Sequence, residues 1–341
     1  MKKLIYSLLP LGITVGLCLN IAPASAGFIV REVIPDAALS IDGFGSTTNS
    51  GVIQANIPTG STIERAYLYA ASVWEKLPVN RKVYDVTFHG KALSVGSAIT
   101  LTPQLDNKAT TVLWDVTDII KSSVTGGLQD FSIVENGQND GAVLVVAYSN
   151  LSTQGFTSVI LDGELSTTGD TSRFNFASPY TGGDFLVSLA SSYSLQPSGQ
   201  FTQIDVTTNS TNNRRLSTSA GGQDDGEGFN GALMTVGGID DNPTNPDPFA
   251  LSSDPSAPRI DDEYYNLALG NSDNAAPFIS PGDTFLRLTT QNPSNDDNVF
   301  GLFITSGFKI SPAPVPEPSM TLGIFGIGAI GILLSRRGKK S

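Results

Sequence analysis

Short apolar runs, separated by polar turns, recur along most of the chain. Residues 61–74 begin polar and become an alternating aromatic run, and residues 82–93 set apolar side chains among polar neighbours. Residues 140–150 are continuously apolar and are bounded by turn residues. Alternation with a period of two is typical of a half-buried strand, whereas a short continuous run is typical of a strand covered on both faces. These segments are therefore predicted to be β-strands.

Two local features refine this pattern. Residues 155–165 follow the run at 140–150 after a short polar turn, which predicts a hairpin between the two segments. One short helix is predicted at residues 116–124, with Thr117 or Asp115 as its cap and glycines after it.

After about residue 168 the polar loops become longer and richer in Asp, Asn and Pro. Five further strands are predicted within residues 169–193, 200–209, 231–239, 283–292 and 299–310. Frequent strands with almost no helical periodicity indicate an all-β fold of one or two β-sandwich or jelly-roll-like domains. We place the two candidate domains at residues 27–167 and 168–312.

The N-terminal segment has the features of a signal peptide. A positive start is followed by an apolar stretch, and Ala24 and Ala26 are small residues of the type that signal peptidase reads. Residues 1–26 are therefore expected to be removed on export. The single cysteine, Cys18, lies in this segment, so the mature protein is expected to have no disulfide and no cysteine metal site.

The C-terminal segment, residues 313–341, combines a proline-rich spacer, an apolar stretch and a basic cluster. The stretch at residues 320–334 has no charge. As a helix it would span only about 22 Å, which is shorter than the roughly 30 Å hydrocarbon core. It is predicted to be a single membrane helix that tethers the protein transiently, with the body facing outward.

This order of parts closely resembles the PEP-CTERM sorting signal of bacterial exported proteins. The resemblance rests on Pro316, Glu317 and Pro318, the apolar stretch, and the basic end with Arg336 and Arg337. It implies recognition by exosortase, a membrane transpeptidase-like enzyme, and association with the envelope and extracellular polysaccharide. A plain tail anchor is the alternative.

The charge of the chain narrows the choice of partners. It has 20 basic and 32 acidic residues, and six of the basic residues lie in the two terminal segments. Such a balance argues against nucleic acid, because a protein must bring positive charge to release counterions from phosphates. It favours solubility outside the cell and the binding of divalent cations.

The acidic residues are concentrated in the loops of the second half. Calcium prefers six to eight oxygen ligands and tolerates irregular geometry, which loops rich in Asp, Asn and Gly can provide. Asp224, Asp225, Asp240 and Asp241 are the candidate ligands. Solvated loops with turn-capping Asp and Asn side chains are the alternative.

No catalytic motif is found, and an enzyme is not expected. The single histidine, His89, stands beside a glycine and is interpreted as a turn residue at a strand end. Paired carboxylates could still serve a glycoside hydrolase. Four aromatic residues could stack on sugar rings, although core packing is their simpler role: Trp74, Trp114, Tyr264 and Tyr265.

Residues 57–165 also resemble an uncharacterised domain family of bacterial and archaeal surface proteins. The resemblance rests on the strand at 61–74, the turn and helix at 114–127 and the segment at 141–165. It implies an extracellular β-sandwich and no known activity. We therefore expect a structural or adhesive protein of the cell envelope or extracellular matrix that contacts polysaccharide. A polysaccharide hydrolase and a carbohydrate-binding module are the alternatives.

Overall fold

The computed structural model describes residues 27–45, 48–73, 83–101, 109–137, 139–165, 169–192, 202–221, 233–245, 247–249, 263–292 and 298–313. The strands are β1 (Ile29–Pro35), β2 (Ala37–Phe44), β3 (Ser50–Ile57), β4 (Thr62–Val73), β5 (Val86–Phe88), β6 (Lys91–Leu93), β7 (Ile99–Thr100), β8 (Ala109–Asp115), β9 (Gly127–Glu135), β10 (Gly141–Ser149), β11 (Thr157–Asp162), β12 (Asp170–Phe176), β13 (Phe185–Ser192), β14 (Thr202–Thr208), β15 (Arg214–Ala220), β16 (Met234–Val236), β17 (Tyr264–Asn266), β18 (Phe285–Gln291), β19 (Asn298–Ser306) and β20 (Ile310–Ala313). The helix α1 covers Thr117–Ser123, and short 3₁₀ turns cover Val95–Ser97 and Leu151–Thr153.

Within the described residues these strands form four sheets. Sheet I has the order β3-β9-β5-β6, and sheet II has the order β2-β10-β4-β8-β7. Sheet III has the order β1-β11-β19-β13-β16, with β17 also paired to β13. Sheet IV has the order β15-β14-β18-β12-β20. All of the pairings are antiparallel. The expectation of an all-β fold is confirmed.

The sheets stack face to face in the order I, II, III, IV, with a hydrophobic core between each neighbouring pair. Sheets I and II share a core that includes Phe131 and Leu144. Sheets II and III share a second core with Tyr69, and sheets III and IV share a third with Phe174 and Leu302. Sheets II and III are therefore covered on both faces, as in two sandwiches placed back to back.

The continuous apolar run at residues 140–150 reflects this burial. In β10, Ala142, Leu144 and Val146 face sheet I, while Val143 and Val145 face sheet III. Because both faces of the strand are covered, both sets of alternating positions are apolar. The predicted strands at 61–74 and 140–150 are confirmed as β4 and β10.

The predicted hairpin between residues 140–150 and 155–165 is wrong. The strand β10 pairs with β2 and β4 in sheet II, whereas β11 pairs with β1 and β19 in sheet III. The intervening turn carries the chain from one layer to the next instead of folding it back within a sheet. Both strands are buried on both faces. The hydrophobic pattern therefore does not distinguish a hairpin within one sheet from a crossing between two sheets.

Two other local predictions are refined. Residues 82–93 form two short strands, β5 and β6, because His89 and Gly90 adopt φ values of 47° and 74° and turn the chain. The predicted helix is present as α1, and the Asp115 side chain accepts a hydrogen bond of 2.9 Å from the Thr117 N–H. Asp115 therefore satisfies one N–H at the start of the helix.

Strands from both sides of residue 167 pair in one sheet. The strands β1 and β11 precede that position, and β11 pairs directly with β19 from the later segment. The predicted boundary therefore does not coincide with a division between sheets. The division of the body into 27–167 and 168–312 stays a prediction.

Sheets II and III are connected at a corner where the chain crosses twice. Asp36 alone separates β1 of sheet III from β2 of sheet II, and residues 150–156 separate β10 from β11. The Asp36 N–H donates to the Phe156 carbonyl at 2.9 Å, and its Oδ1 accepts from the Gly155 N–H at 2.7 Å. The Thr153 hydroxyl donates to the Asp36 carbonyl at 2.6 Å. These bonds hold the two crossings together.

A buried polar cluster also joins sheets II and III. Asp162 of β11 is fully buried and accepts two hydrogen bonds of 2.8 Å from the guanidinium of Arg31 in β1. The hydroxyl of Tyr69 in β4 donates to the same carboxylate at 3.0 Å, and burial together with the Asp162 charge raises the pKa of Tyr69. Because a buried carboxylate is unfavourable without such partners, the cluster fixes how the two sheets meet.

Asp36 offers a direct test of the corner. Its φ of 54° lies in the left-handed region, which Asn tolerates and β-branched residues do not. We expect Asp36→Val to lower the free energy of unfolding by about 1–3 kcal/mol because it adds backbone strain and removes the acceptor for Gly155. Asp36→Asn keeps the conformation and an acceptor oxygen, so it should change stability little. Urea titrations of the two variants make the comparison, and equal losses would contradict the role assigned to the turn.

Candidate functional site: a polar groove at the sheet corner

An open groove of about 840 Å³ lies beside the corner between sheets II and III. It is lined by Asp36, Thr59, Gly60, Thr62, Ser149, Asn150, Leu151, Ser152 and Gln154. These residues come from the β1–β2 turn, the β3–β4 turn and the crossing from β10 to β11. The groove is thus built on turns that rigid strands hold in place, an arrangement that is common for binding sites.

Hydrogen bonds fix the geometry of the groove. The Asn150 Oδ1 accepts from the Ser152 N–H at 2.7 Å, and its Nδ2 donates to the Ser61 hydroxyl at 2.9 Å. The Thr153 hydroxyl accepts from the Asn150 N–H at 2.9 Å, which completes a capping box around the 3₁₀ turn. The turn is therefore held in one conformation, and it holds Leu151 with 86% of its surface exposed.

The lining supplies hydroxyl and amide groups around one exposed apolar side chain. Among the lining residues that the structure describes, Asp36 is the only one with a carboxylate, and it already accepts a hydrogen bond from Gly155. Such a surface can form hydrogen bonds with a polar, uncharged ligand and make one apolar contact through Leu151. No motif in the sequence predicts this groove, and its only sign there is Leu151 within a polar turn.

A smaller cavity of about 170 Å³ lies between β2, the end of β10 and the strands of sheet III. Among its lining residues is Tyr264, one of the four aromatic candidates for sugar stacking. Trp114 and Tyr265 are buried in the cores, and the Trp114 Nε1 donates to the Ser94 carbonyl at 2.9 Å. Trp74 lies outside the described residues. Core packing is thus the observed role of Trp114 and Tyr265.

Two of the four candidate calcium ligands lie in the described residues. Asp240 and Asp241 follow β16 in a turn against β2, where the Ile239 N–H donates to the Ile41 carbonyl at 2.9 Å. The Asp241 Oδ2 accepts from the Gly238 N–H at 2.5 Å, so this carboxylate caps the turn. In the described part of the chain, no group of three or more acidic, His or Cys side chains could hold a metal ion. Asp224 and Asp225 lie outside that part, so the calcium site stays a prediction.

The carboxylate of Asp42 lies near this turn. Asp42 is 8% exposed in β2 and accepts a hydrogen bond from the Gln54 N–H of β3. Burial, opposed by its hydrogen bonds and reinforced by the charges of Asp241 and Asp240, raises the pKa of Asp42 to about 7. Through the bond to Gln54 this residue stabilises β3, which is an edge strand of sheet I in the described residues.

A second pair of carboxylates lies where the chain passes from sheet I to sheet II. Glu135 ends β9 with 3% exposure, and Asp140 precedes β10 with 7% exposure. The Glu135 Oε1 has no hydrogen-bond partner among the described residues. Burial and the charge of Asp140 raise the pKa of Glu135 to about 8. Both side chains are enclosed, so they are not placed to act on a polymer from solvent.

The alternation of side chains along β9 indicates that Glu135 is buried. Phe131, Ile133 and Glu135 alternate on one face of β9, and the first two are core residues. A charged residue in phase with buried positions indicates a buried charge.

His89 is at the β5–β6 turn with its ring 5.3 Å from that of Phe131, as expected for a turn residue.

The two raised pKa values predict how stability changes with pH. The pKa of Glu135 rises from 4.5 to about 8 on folding, and that of Asp42 rises from 3.8 to about 7. At pH values between the unfolded and the folded pKa of each group, the folded state binds more protons than the unfolded state. The free energy of unfolding therefore falls as pH rises through this range. The contribution of these groups is complete below about pH 4 and is lost above about pH 8.

Thermal unfolding between pH 5 and pH 8.5 tests this. We expect Glu135→Gln to flatten the fall in melting temperature and to raise stability at pH 8.5 by roughly 1–3 kcal/mol, because it removes a buried charge. Asp130→Asn changes the same charge at an exposed position and should leave the slope unchanged. A wild-type melting temperature that rises steadily over this range, unaffected by Glu135→Gln, would contradict the assignment.

Residues 1–26 and 314–341 lie outside the described residues. This applies to Ala24 and Ala26 of the signal-peptide prediction and to the apolar stretch at 320–334. Within the described residues, no helix has both the length and the apolar character that a membrane span requires.

A comparison with protein-family models gives a match in the C-terminal segment. A family model described as the PEP-CTERM protein-sorting motif matches residues 314–337, which include Pro316, Glu317, Pro318, Arg336 and Arg337. A search of curated proteins finds no match for the chain. The resemblance of the tail is confirmed: the chain carries a PEP-CTERM protein-sorting motif, which implies export and exosortase-dependent sorting to the cell surface.

Proposed function

We propose that this protein is a structural or adhesive component of the cell envelope or extracellular matrix, and that it contacts surface polysaccharide through the corner groove. The chemistry of the groove lining is the main support for this proposal. Hydroxyl and amide groups around an exposed leucine suit a sugar polymer, which presents hydroxyl groups and apolar ring faces. The sorting motif supports delivery of that groove to the place where such polymers are found.

The rigidity of the fold supports an adhesive role. The groove lies at the point where two sheets are joined by paired crossings and by the cluster around Asp162. A lining held in one conformation loses little conformational freedom when a ligand binds. A pulling force on a bound polymer would also be distributed over strands of both sheets.

A hydrolase would need two carboxyl groups close together in an open cleft. The lining of the groove includes one carboxylate, and the paired Glu135 and Asp140 are enclosed. A carbohydrate-binding module would gain support from an exposed aromatic platform, but Trp114 and Tyr265 are core residues. These observations favour the adhesive role over both alternatives.

The delivery route is part of the proposal. Signal peptidase would remove residues 1–26, and the C-terminal segment would tether the body until exosortase processes it. Calcium bound by Asp224, Asp225, Asp240 and Asp241 would stiffen the loops of the second half, and we keep it as a proposed ligand.

The tail can be tested by substitution. We expect Pro316→Ala combined with Glu317→Ala to leave a precursor of unprocessed mass in the membrane fraction, because the enzyme no longer recognises the motif. Val315→Ala lies beside the motif and should be processed normally. Cell fractionation with mass spectrometry of the C-terminus distinguishes the two, and normal release of the double variant would contradict exosortase-dependent sorting.

The groove can be tested with polysaccharide extracted from the producing cells. We expect Leu151→Ser and Gln154→Ala each to weaken binding of the exported protein about fivefold, which corresponds to about 1 kcal/mol. Leu128→Ser makes the same change at another exposed leucine, on the outer face of sheet I, and should bind normally. Unchanged binding by both groove variants, or no binding by the wild type, would refute the proposal.

A further inference from the structure

The outer face of sheet IV carries an unusual group of positive charges. Its inner face packs against sheet III through residues such as Phe174, Leu286 and Leu288. Because side chains alternate along a strand, their neighbours Arg173 and Arg287 face outward. We call this outward surface the arginine face, defined by Arg173, Arg287, Thr171, Thr289 and Thr207 with Asn175 and Phe285 beside them.

The strand register places these residues in rows. Arg173 of β12 lies directly opposite Arg287 of β18, and Arg287 lies opposite Thr207 of β14. The next row consists of Thr171 and Thr289, which are also direct partners. Two arginines are therefore neighbours across the central strands of a flat surface that is otherwise rich in hydroxyl groups.

Like charges directly opposite each other destabilise a sheet. The only ion pair on this sheet in the described residues joins Arg215 and Asp205 at 2.7 Å. Within the described chain, neither Arg173 nor Arg287 has a carboxylate within 4.0 Å. No carboxylate of the described residues therefore forms an ion pair with either arginine.

The remaining contacts of the two guanidinium groups are weak. The Arg173 Nε donates to the Asn175 Oδ1 at 3.2 Å, and its guanidinium lies 4.4 Å from the centre of the Phe285 ring. The Arg287 Nη2 donates to the Thr207 hydroxyl at 3.4 Å. The Arg287 Nε is buried and has no partner among the described residues. A ligand would therefore meet Arg287 through its terminal Nη groups, and both half-buried arginines are held in place by these contacts.

The composition of the chain makes this cluster distinctive. No lysine occurs between Lys121 and Lys309, and five arginines do. Four of these five, Arg173, Arg214, Arg215 and Arg287, lie in strands of sheet IV. Between Lys121 and Lys309, most of the positively charged residues therefore lie in one sheet, in a protein whose net charge is −12.

We propose that the arginine face binds the carboxylate groups of an acidic polysaccharide. A guanidinium can donate two parallel hydrogen bonds to one carboxylate, and two adjacent guanidinium groups can engage successive charged sugars. The flanking threonines provide hydrogen bonds for sugar hydroxyls. The acidic charge of the whole protein repels polyanions at long range, so binding depends on these short-range contacts. This site is separate from the corner groove and does not depend on it.

The test uses the purified exported protein and immobilised polygalacturonate as the probe. We expect Arg173→Gln with Arg287→Gln to weaken binding at least tenfold. Arg173→Lys with Arg287→Lys keeps the charge but loses the two-bond geometry, so its affinity should be intermediate. Lys91→Gln with Lys121→Gln makes the same change in net charge at exposed positions away from sheet IV and should bind as the wild type does.

Thermal unfolding checks that the arginine variants fold, and removal of the facing charges should not lower the melting temperature. Leu151→Ser should leave polygalacturonate binding unchanged, which separates this site from the groove. No binding by the wild type, or an equal loss in the lysine control, would overturn the proposal. Tighter binding to polyglutamate or to dextran sulfate than to polygalacturonate would also overturn it, because the ligand would then be an acidic peptide or a sulfated polymer.

Discussion

The structure depends on the way sheets II and III are joined. The chain passes between them at Asp36 and again at residues 150–156, and hydrogen bonds link the two crossings. Away from the corner, Asp162 is fully buried and is stabilised by Arg31 from its own sheet and Tyr69 from the other. A buried carboxylate of this kind tolerates little displacement of its partners, so it fixes the register of the two layers. The outer sheets then each complete a sandwich against one side of this central pair.

Much of the fold could be predicted because hydrophobic periodicity reports local burial. The strands β4 and β10 and the helix α1 were recovered in this way, and the all-β class followed from their frequency. The route of the chain could not be predicted, because β10 and β11 are buried on both faces and periodicity does not show which neighbour covers each face. The early strands β1 to β3 were missed, since their polar and charged residues interrupt the apolar pattern. Arg31, for example, is a charged residue inside a strand, where its guanidinium binds the carboxylate of Asp162. That partner is distant in the sequence, so a local pattern does not reveal it.

The tail and the two proposed binding surfaces show the same contrast. The tail can be recognised from the sequence because its motif is contiguous, and the match at residues 314–337 confirms it. The groove and the arginine face are assembled from separate segments, so no contiguous pattern in the sequence identifies them. The candidate calcium ligands were selected by composition, and Asp241 shows how an acidic loop residue can serve a turn instead. A delivery signal, a rigid stack and two distinct surfaces are together consistent with an adhesive protein.

We infer that sheets II and III form one cooperative unit, although the strands of sheet III come from both sides of residue 167. Differential scanning calorimetry of the exported protein is the test. We expect one transition whose calorimetric and van't Hoff enthalpies agree, and Tyr69→Phe should shift that whole transition to lower temperature. Two separate transitions, with only one of them moved by Tyr69→Phe, would show that the two sheets unfold independently.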